Sequence, residues 1–298
     1  MKVAVGASSF AGSSDMAMKL LKEHGIEVVK NPYGRKMNQE EIIQHLQGAD
    51  GLLAGLEPLN EEVFSKAPTL KAIARIGIGM DNVDQEAAKR HGIKVSNTPD
   101  APTEAVAEMA LAALLTIGHA IIPSNEDMHN KIWKKRIGFS LRNLNVLFIG
   151  YGRIGKKFAD HLRYFGSIVW IYDPCQPQIS EKNLREAVEK ADVITMHASG
   201  KEEILSAELF PRMKEGVVIL NCARGGLINE DALFSGLNSG KIANYWGDVF
   251  SQEPYEGKLL SCSNAILTPH ISTYNALCRE SMETEAVKHL LEDLNCVD

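Results

Sequence analysis

Three residues in the second half of the chain have side chains suited to acid–base chemistry on an anionic substrate: Arg224, Glu253 and His270. Each follows a short apolar run (VVILNCA, YWGDVF and NAILTP) that is typical of a buried strand. A histidine can donate a proton near neutral pH, a carboxylate can fix its tautomer, and an arginine can bind a carboxylate through two parallel hydrogen bonds. Together with a hydride donor, such groups can reduce a ketone to an alcohol.

Each of these residues also has a structural interpretation. A histidine beside a proline, as in Pro269-His270, is more often structural than catalytic. Glu253 can be an exposed turn acid, and Arg224 can be an ion-pair residue. Because all three follow strands of one predicted parallel sheet, we expect them at the edge where such sheets bind ligands, and this joint placement favours catalysis.

The segment FIGYGRIGKKF predicts a dinucleotide site. It places glycines directly after an apolar strand and at the start of a helix, where backbone N–H groups can contact a pyrophosphate. The alternative is a glycine-rich turn that serves helix packing alone. The predicted cofactor residues of this motif are Gly150, Gly152, Arg153, Ile154 and Gly155.

The next strand, IVWIYD, ends in Asp173, about 20 residues beyond the motif, where an acid bonds the adenosine ribose. A 2′-phosphate would be repelled by Asp173 and would require a nearby arginine, but residues 174–180 (PCQPQIS) contain no basic residue. The sequence therefore predicts NAD and not NADP.

Short β-branched runs alternate with helical segments as far as about Ile271, which is typical of parallel strands joined by crossover helices. We predict an α/β protein with two Rossmann-like, doubly wound parallel-sheet domains and a cleft between them. Residues 1–99 with 274–298 form the predicted flavodoxin-like substrate domain, since the last helical segment has no strand of its own to cover. Residues 100–273 form the predicted NAD-binding domain.

Composition narrows the class of protein. The chain has 298 residues, is 45% hydrophobic and carries a net charge of −6, which favours a globular protein with a small-molecule ligand over a nucleic-acid or membrane partner. Five cysteines without zinc-ligand spacing predict no metal site and reduced thiols in the cytoplasm. The start MKVAVGASSF predicts a first strand and not a signal peptide, and the apolar region 105–122 predicts a buried helix.

Several blocks resemble those of the D-isomer-specific 2-hydroxyacid dehydrogenase family. NCARGGLINEDAL, GDVFSQEP and ILTPHIS are similar to its three signature blocks, GYGRIG with IYD is similar to its NAD site, and RIGIGMDNVDQEAAKRHGIKVSNTP is similar to a block of its first domain. The resemblance covers nearly the whole chain and is closest to the short-form phosphoglycerate dehydrogenase branch. It implies hydride transfer between NADH and a 2-oxo acid. It also implies a homodimer joined through the NAD domain, with the long helix from near Thr103 at the interface.

The resemblance implies roles for individual residues. Arg224 would bind the substrate, while Glu253 and His270 would form the acid–base pair. Asp248 would approach the nicotinamide carboxamide, although it can also be a loop cap. Further cofactor contacts are implied for His197, Cys222 and Ala223. The substrate carboxylate would be received by backbone amides of Ile76, Gly77, Ile78 and Gly79, although the two glycines can also serve a turn alone.

Three departures from the family pattern bear on function. His197 is followed by Ala198-Ser199 where H-x-P is usual, which predicts a short loop of changed chemistry over the nicotinamide. Asn244, Tyr245 and Trp246 precede Asp248 where small residues are usual, so core packing there should be reorganised. Where phosphoglycerate-specific members tend to place an arginine for the phosphate, this chain has Glu57, which argues against a phosphorylated substrate. Arg75 or the run Lys134, Lys135 and Arg136 can compensate, or the run can be a solvated face.

The substrate therefore stays open between the 3-phosphoglycerate class and the hydroxypyruvate or glyoxylate class. The chain ends just after the returning helix, so the regulatory module of long forms is not expected. An alternative function is that of an NADH-sensing protein of the corepressor type, since such proteins are similar to this family in fold and triad.

Overall fold

The structure is a computed structural model that describes residues 1–296 of the chain. The polypeptide divides into two compact units, one made of Met1–Pro102 together with residues 273–296, the other of Thr103–Ser272. Each unit contains one sheet, and the strand pairings in the described part of the chain run parallel. The predicted α/β class with two doubly wound parallel sheets is confirmed.

Within its described residues the first unit contains five strands, whose alternation with helices follows the sequence pattern. The strands are β1 (Lys2–Val5), β2 (Glu27–Val29), β3 (Gly51–Ala54), β4 (Ala72–Arg75) and β5 (Lys94–Asn97). The helices between them are α1 (Met16–Glu23), α2 (Gln39–His45), α3 (Glu61–Ser65) and α4 (Gln85–Arg90). The strand order is β2-β1-β3-β4-β5, and β3 and β4 are buried at every position, as expected for a sheet covered on both faces.

The second unit contains six strands. They are β6 (Asn145–Ile149), β7 (Ile168–Tyr172), β8 (Val193–Met196), β9 (Val217–Asn221), β10 (Ile242–Gly247) and β11 (Ala265–Leu267). Its helices are α5 (Pro102–Gly118), α6 (Ile121–His129), α7 (Arg153–Tyr164), α8 (Leu184–Lys190) and α9 (Glu230–Ser239), with short 3₁₀ helices at Ala207–Arg212, Gly225–Leu227 and Lys258–Ser261. The strand order is β11-β10-β9-β8-β6-β7.

The last helix, α10 (Ala276–Asp293), belongs to the first unit. It contacts β3, β4 and β5, and its buried positions include Met282, Ala286 and Leu290. The helix thereby covers one face of a sheet whose strands are apolar on both faces, which explains why a terminal helix without its own strand is stable.

The two bulky residues before Asp248 lie on opposite faces of the second sheet. Trp246 is fully buried and packs in the cluster that contains Phe148 and Leu220. Tyr245 is buried in the other cluster, on the opposite face of β10. The indole Nε1 of Trp246 donates to Thr268 Oγ1 at 3.2 Å, so the large side chain also gains a polar partner after β11.

The order of the second sheet reverses between β6 and β8, which is where an open α/β sheet binds its ligand. Among the described residues, no single helix is long and apolar enough to cross a membrane. Only α5 and α6 together meet the length and composition criteria, as a pair bent by 57°.

Candidate active site

The glycine motif forms a tight turn at the reversal point of the second sheet. Gly150 has a φ of +88°, and a side chain there would overlap the backbone of Ala198, which follows β8. At Gly152 a side chain would meet open space, so a ligand can approach the backbone. A Cβ at Gly155 would lie 2.9 Å from the Gly150 carbonyl oxygen, so this residue allows close helix–strand packing. The turn therefore fits a dinucleotide pyrophosphate.

The start of α7 leaves backbone donors for such a ligand. Its N-cap is Gly152, which has no side chain that could accept from the first turn. By contrast, α9 begins with Asn229, whose side chain accepts from Ala232 N at 2.9 Å. Because the first N–H groups of a helix have no partner within the helix, α7 presents them at its N-terminus, where the positive end of the helix dipole favours a phosphate. Arg153 and Ile154 lie in this first turn.

Asp173, at the end of β7, is bonded to the glycine turn. Its carboxylate accepts from Tyr151 N at 2.8 Å, Cys175 N at 2.9 Å and Gln176 Nε2 at 3.0 Å. Gln176 also donates to the Tyr151 carbonyl at 2.8 Å, a contact that the sequence analysis missed. The carboxylate is therefore held in a fixed orientation beside the motif, where a ribose would be recognised.

His197 follows β8 and lies in an apolar setting. Its ring stacks on Phe148 with centroids 5.4 Å apart, its Nε2 lies 2.9 Å from Thr195 Oγ1, and its Nδ1 lies 3.7 Å from Cys222 Sγ. Burial lowers the pKa of His197 to about 3, so the ring is neutral at physiological pH. The residue can line a cofactor pocket, but a ring with this pKa is a poor proton donor near pH 7.

The turn after β9 carries Cys222, Ala223 and Arg224. Burial, with a smaller contribution from the Asp248 charge, raises the pKa of the Cys222 thiol to about 12, so the thiol keeps its proton. Asn221 folds the turn: its side chain accepts from Ala223 N at 3.0 Å and donates to the Arg224 carbonyl at 2.9 Å. Sequence reasoning missed Asn221, although asparagine at a strand end is a turn signal.

Arg224 has an extended backbone, and its Nη1 donates to the Ala223 carbonyl at 2.7 Å. The following Gly225 lies directly against the backbone of Phe250 and Ser251, and a side chain at this position would overlap both. The loop after β9 therefore touches the loop after β10.

Glu253 and His270 form a hydrogen-bonded pair. Nδ1 of His270 lies 3.0 and 3.2 Å from the two carboxylate oxygens, and Glu253 Oε1 also accepts from Phe250 N at 3.1 Å. His270 has a φ of +55°, in the left-handed region, and its side chain is 42% exposed. With Nδ1 donating to the carboxylate, Nε2 is the nitrogen that remains for a substrate oxygen.

Asp248 holds the segment on both sides of His270. It is 1% exposed, and its oxygens accept from Thr268 Oγ1 at 2.6 Å, Ile271 N at 2.9 Å, and the N–H and hydroxyl of Ser272 at 2.9 and 2.5 Å. These bonds connect the end of β10 to the chain after β11. A contact between Asp248 and the nicotinamide stays a prediction.

In the first unit, the segment 76–79 follows β4. The N–H of Ile76 donates to the Ala54 carbonyl at 3.0 Å, and that of Gly77 donates to Thr98 Oγ1 at 2.8 Å. Within residues 1–296, the N–H groups of Ile78 and Gly79 donate to no protein acceptor. These two amides are therefore better placed to receive a carboxylate than those of Ile76 and Gly77.

Glu57 lies inside the first unit, after β3. It is fully buried against Gly6 and Gly55, and both its oxygens accept from Gly55 N, at 2.9 and 3.1 Å. Burial raises the pKa of the Glu57 carboxyl, while the positive charges of Arg75 and Lys36 act in the opposite direction.

Two of the cations proposed to compensate for a missing phosphate ligand, Arg75 and Arg136, already have protein partners. The Nη1 of Arg75 donates to the Ile76 carbonyl, and Arg136 pairs with Asp127 at 2.7 Å. Lys134 and Lys135 are exposed in the second unit, as on a solvated face. The part of the chain that the structure describes contains no group of three or more His, Cys, Asp or Glu side chains that could hold a metal ion, and none of its five cysteines forms a disulfide.

Comparison with known proteins gives a consistent result. A family model described as "D-isomer specific 2-hydroxyacid dehydrogenase, NAD binding domain" matches residues 111–272. Hydroxypyruvate reductase of Thermotoga maritima is 32% identical over 87% of this chain and 89% of its own length. Glyoxylate reductase of Thermococcus kodakarensis is 30% identical over 92% of this chain and 88% of its own length.

Longer relatives and solved structures match as well. D-3-phosphoglycerate dehydrogenase of Bacillus subtilis is 30% identical over 94% of this chain but only 55% of its own length. The crystal structure of the TT0316 protein from Thermus thermophilus superposes with a TM-score of 0.89 and 32% identity, covering 99% of this chain and 97% of that one.

Proposed function

The chain belongs to the D-isomer-specific 2-hydroxyacid dehydrogenase family, and we propose that within this family it reduces short 2-oxo acids that carry no phosphate. It is an NAD-dependent oxidoreductase. We further propose that the first unit binds the substrate and the second the cofactor. The cleft between the domains and a cytoplasmic location stay predictions.

The observation that carries the proposed mechanism is the Glu253–His270 pair, which follows β10 and β11 at the edge where Arg224 follows β9. NADH, when bound, supplies a hydride to the carbonyl carbon. His270 Nε2 then gives its proton to the carbonyl oxygen, so that the C=O group gains one hydride and one proton and becomes an alcohol. Glu253 stabilises the protonated ring, and the guanidinium of Arg224 binds the carboxylate and polarises the carbonyl.

Within the first unit, we assign binding of the substrate carboxylate to the segment 76–79. Among the described residues, the N–H groups of Ile78 and Gly79 donate to no protein acceptor, which supports this assignment. Two adjacent amides can donate hydrogen bonds to an anion and bind it even where no charged side chain is present. In this proposal Ile76 and Gly77 support the turn, since their own N–H groups are bonded within the unit.

The charge distribution of the first unit supports a substrate without phosphate. Glu57 occupies the turn where an arginine would bind a phosphate. The positive charge of Arg75 acts to lower the pKa of Glu57, against the larger effect of burial. At this turn a dianionic phosphate would lack the arginine that binds it in phosphoglycerate-specific members, and Arg75 already donates to the Ile76 carbonyl. The names of the two reductases above agree with glyoxylate or hydroxypyruvate as substrate.

The substrate is tested by following NADH oxidation with glyoxylate, hydroxypyruvate, pyruvate, phosphohydroxypyruvate and branched 2-oxo acids in parallel. We expect kcat/KM for glyoxylate or hydroxypyruvate to exceed that for phosphohydroxypyruvate by at least about tenfold, which corresponds to about 1.4 kcal/mol. The Glu57→Gln variant should narrow this ratio, and Glu62→Gln, at an exposed position of α3, should leave it unchanged. A preference for phosphohydroxypyruvate would contradict the proposal, and NADH binding without any turnover would favour the sensing alternative.

The catalytic assignment is tested by His270→Gln. Loss of the proton donor should lower kcat by about 10²- to 10⁴-fold. His129→Gln, at an exposed position of α6, is the control and should leave kcat unchanged. If His270→Gln retained kcat, the proposed mechanism would be wrong.

We also propose a homodimer joined through the second unit. Supporting it, α6 and the segment after it expose several large apolar side chains, among them Trp133 at 82% and Ile137 fully. Sedimentation should show a dimer at micromolar concentration. Trp133→Glu should shift it toward monomer, whereas Tyr164→Glu, at another exposed aromatic of this unit, should not. A monomeric wild type would overturn the proposal.

A further inference from the structure

We propose that Phe250 and Tyr255 are positioning residues for the acid–base pair: their stacked rings fix the turn that carries Glu253 and thereby set the orientation of His270. The inference rests on the function proposed for Glu253 and His270. It goes beyond that function because neither ring is part of the proposed acid–base pair.

The two rings close the turn around Glu253. Phe250 and Tyr255 flank Glu253 in the sequence, and their rings stack with centroids 4.3 Å apart and an interplanar angle of 23°. With the turn closed in this way, the N–H of Phe250 donates to Glu253 Oε1 at 3.1 Å. The other oxygen, Oε2, lies 3.0 Å from His270 Nδ1. The carboxylate is therefore held at one side by the turn and at the other by the histidine.

Tyr255 is itself anchored to rigid elements. Its hydroxyl donates to Glu230 Oε1, at the first residue of α9, at 3.0 Å, and it accepts from Leu259 N, in the 3₁₀ helix Lys258–Ser261, at 3.2 Å. Burial raises the pKa of the Tyr255 phenol to about 12, so the hydroxyl keeps the proton that it donates. The stack is thus attached to a helix at one end and to the Glu253 turn at the other.

The stack also reaches the loop of Arg224. The backbone of Phe250 and Ser251 packs directly on Gly225, the residue after Arg224. A displacement of Phe250 would therefore disturb the substrate-binding arginine and the acid–base pair together. Both rings are half-buried, so they also contribute to packing. If packing were their only role, their loss would lower the free energy of unfolding and leave kcat unchanged.

The test compares Tyr255→Ala, which loses ring and hydroxyl, with Tyr255→Phe, which keeps the stack. In the full-length enzyme, we expect Tyr255→Ala to lower kcat by about 10- to 100-fold, the effect of a displacement of about 1 Å, with no change in KM for NADH. Tyr255→Phe should retain most of the activity. Tyr164→Ala is the matched control, because Tyr164 also pairs with an aromatic residue, Phe165, but at the surface.

A spectroscopic readout tests the same inference without turnover. The ¹⁵N shifts of the His270 ring, recorded where histidines are neutral and assigned with His270→Gln, report which nitrogen carries the proton. The wild type and Tyr255→Phe should show the Nδ1–H form that donates to Glu253, and Tyr255→Ala should show a mixture. If Tyr255→Ala does not fold, Phe250→Leu, which also removes the stack, replaces it.

The outcomes separate the two proposals. If Tyr255→Ala lowered only the melting temperature, with kcat and the His270 tautomer as in the wild type, the positioning role would be wrong. If instead His270→Gln kept full turnover, the proposed mechanism would be wrong, while the tautomer measurement would still decide whether the stack orients the ring.

Discussion

Burial separates the roles of the two histidines that follow strands β8 and β11. Burial lowers the pKa of His197 to about 3, and the ring contacts Phe148, Thr195 and Cys222. The side chain of His270 is 42% exposed and bonded to a carboxylate. A neutral, buried ring suits a pocket wall, whereas a paired and accessible ring suits proton transfer at the substrate.

The buried state of His197 predicts a dependence of stability on pH. The unfolded chain protonates this residue near pH 6.5, but the folded chain does so only near pH 3, so the unfolded state binds more protons between these values. Folding stability should therefore fall as the pH decreases below about 6.5, by about 2 kcal/mol between pH 7 and pH 5 from this residue. Urea unfolding of the wild type and of His197→Gln measures the difference. Parallel pH curves for the two proteins would contradict the prediction.

At the scale of secondary-structure elements, the loops that follow β9, β10 and β11 contact one another. Gly225 packs on the loop after β10, and Asp248 bonds the chain on both sides of His270. The three residues of the proposed site therefore lie on loops that support one another, and their geometry depends on these junctions more than on each strand.

The junction between the loops after β9 and β10 predicts a contrast between neighbouring glycines. An alanine at Gly225 would overlap the backbone of Phe250 and Ser251, whereas at Gly226 its Cβ would lie 3.4 Å from the Lys201 carbonyl oxygen, an ordinary contact. Gly225→Ala should therefore lower kcat/KM for the 2-oxo acid by about 10- to 100-fold through displacement of Arg224. Gly226→Ala should behave like the wild type in the same steady-state assay. Equal losses would show that the junction does not position Arg224.

At the scale of the whole molecule, each unit contains a proposed binding segment that is anchored within that unit. A fully buried threonine hydroxyl supports each segment: Thr98 Oγ1 accepts from Gly77 N in the first unit, and Thr195 Oγ1 lies 2.9 Å from His197 in the second. The proposed assignment of substrate binding to the first unit and cofactor binding to the second can therefore be tested by making the same Thr→Val substitution in each unit.

The variants Thr98→Val and Thr195→Val each replace one hydroxyl by a methyl group of similar shape. We expect each loss of a hydrogen bond to weaken binding by about 1 kcal/mol, which is about fivefold in the binding constant. Thr98→Val should raise KM for the 2-oxo acid and leave the dissociation constant of NADH unchanged. Thr195→Val should weaken NADH binding, as measured by fluorescence titration. If both variants changed the same parameter, the assignment of substrate and cofactor to separate units would be wrong.

The sequence by itself predicted the class of fold and the cofactor. Strand-length apolar runs alternating with helical segments determine a parallel α/β architecture, because each run must be buried on both faces. The glycine motif and Asp173 are separated by one helix and one strand, so local spacing alone brings them together. Arg224, Glu253 and His270 likewise follow successive strands of one sheet, but their role as site residues stays a prediction, although the structure pairs the last two.

Only the tertiary structure decided which groups support that chemistry. It shows that Glu57 points into the first unit, that the amides of Ile76 and Gly77 are already bonded, and that the two glycines after Arg224 differ in their surroundings. Partners such as Asn221, Gln176 and Tyr255 lie on loops whose neighbours in space are distant in sequence. Hydrogen bonds and steric contacts of this kind depend on distances of a few tenths of an ångström between loops, which no pattern of residue types encodes.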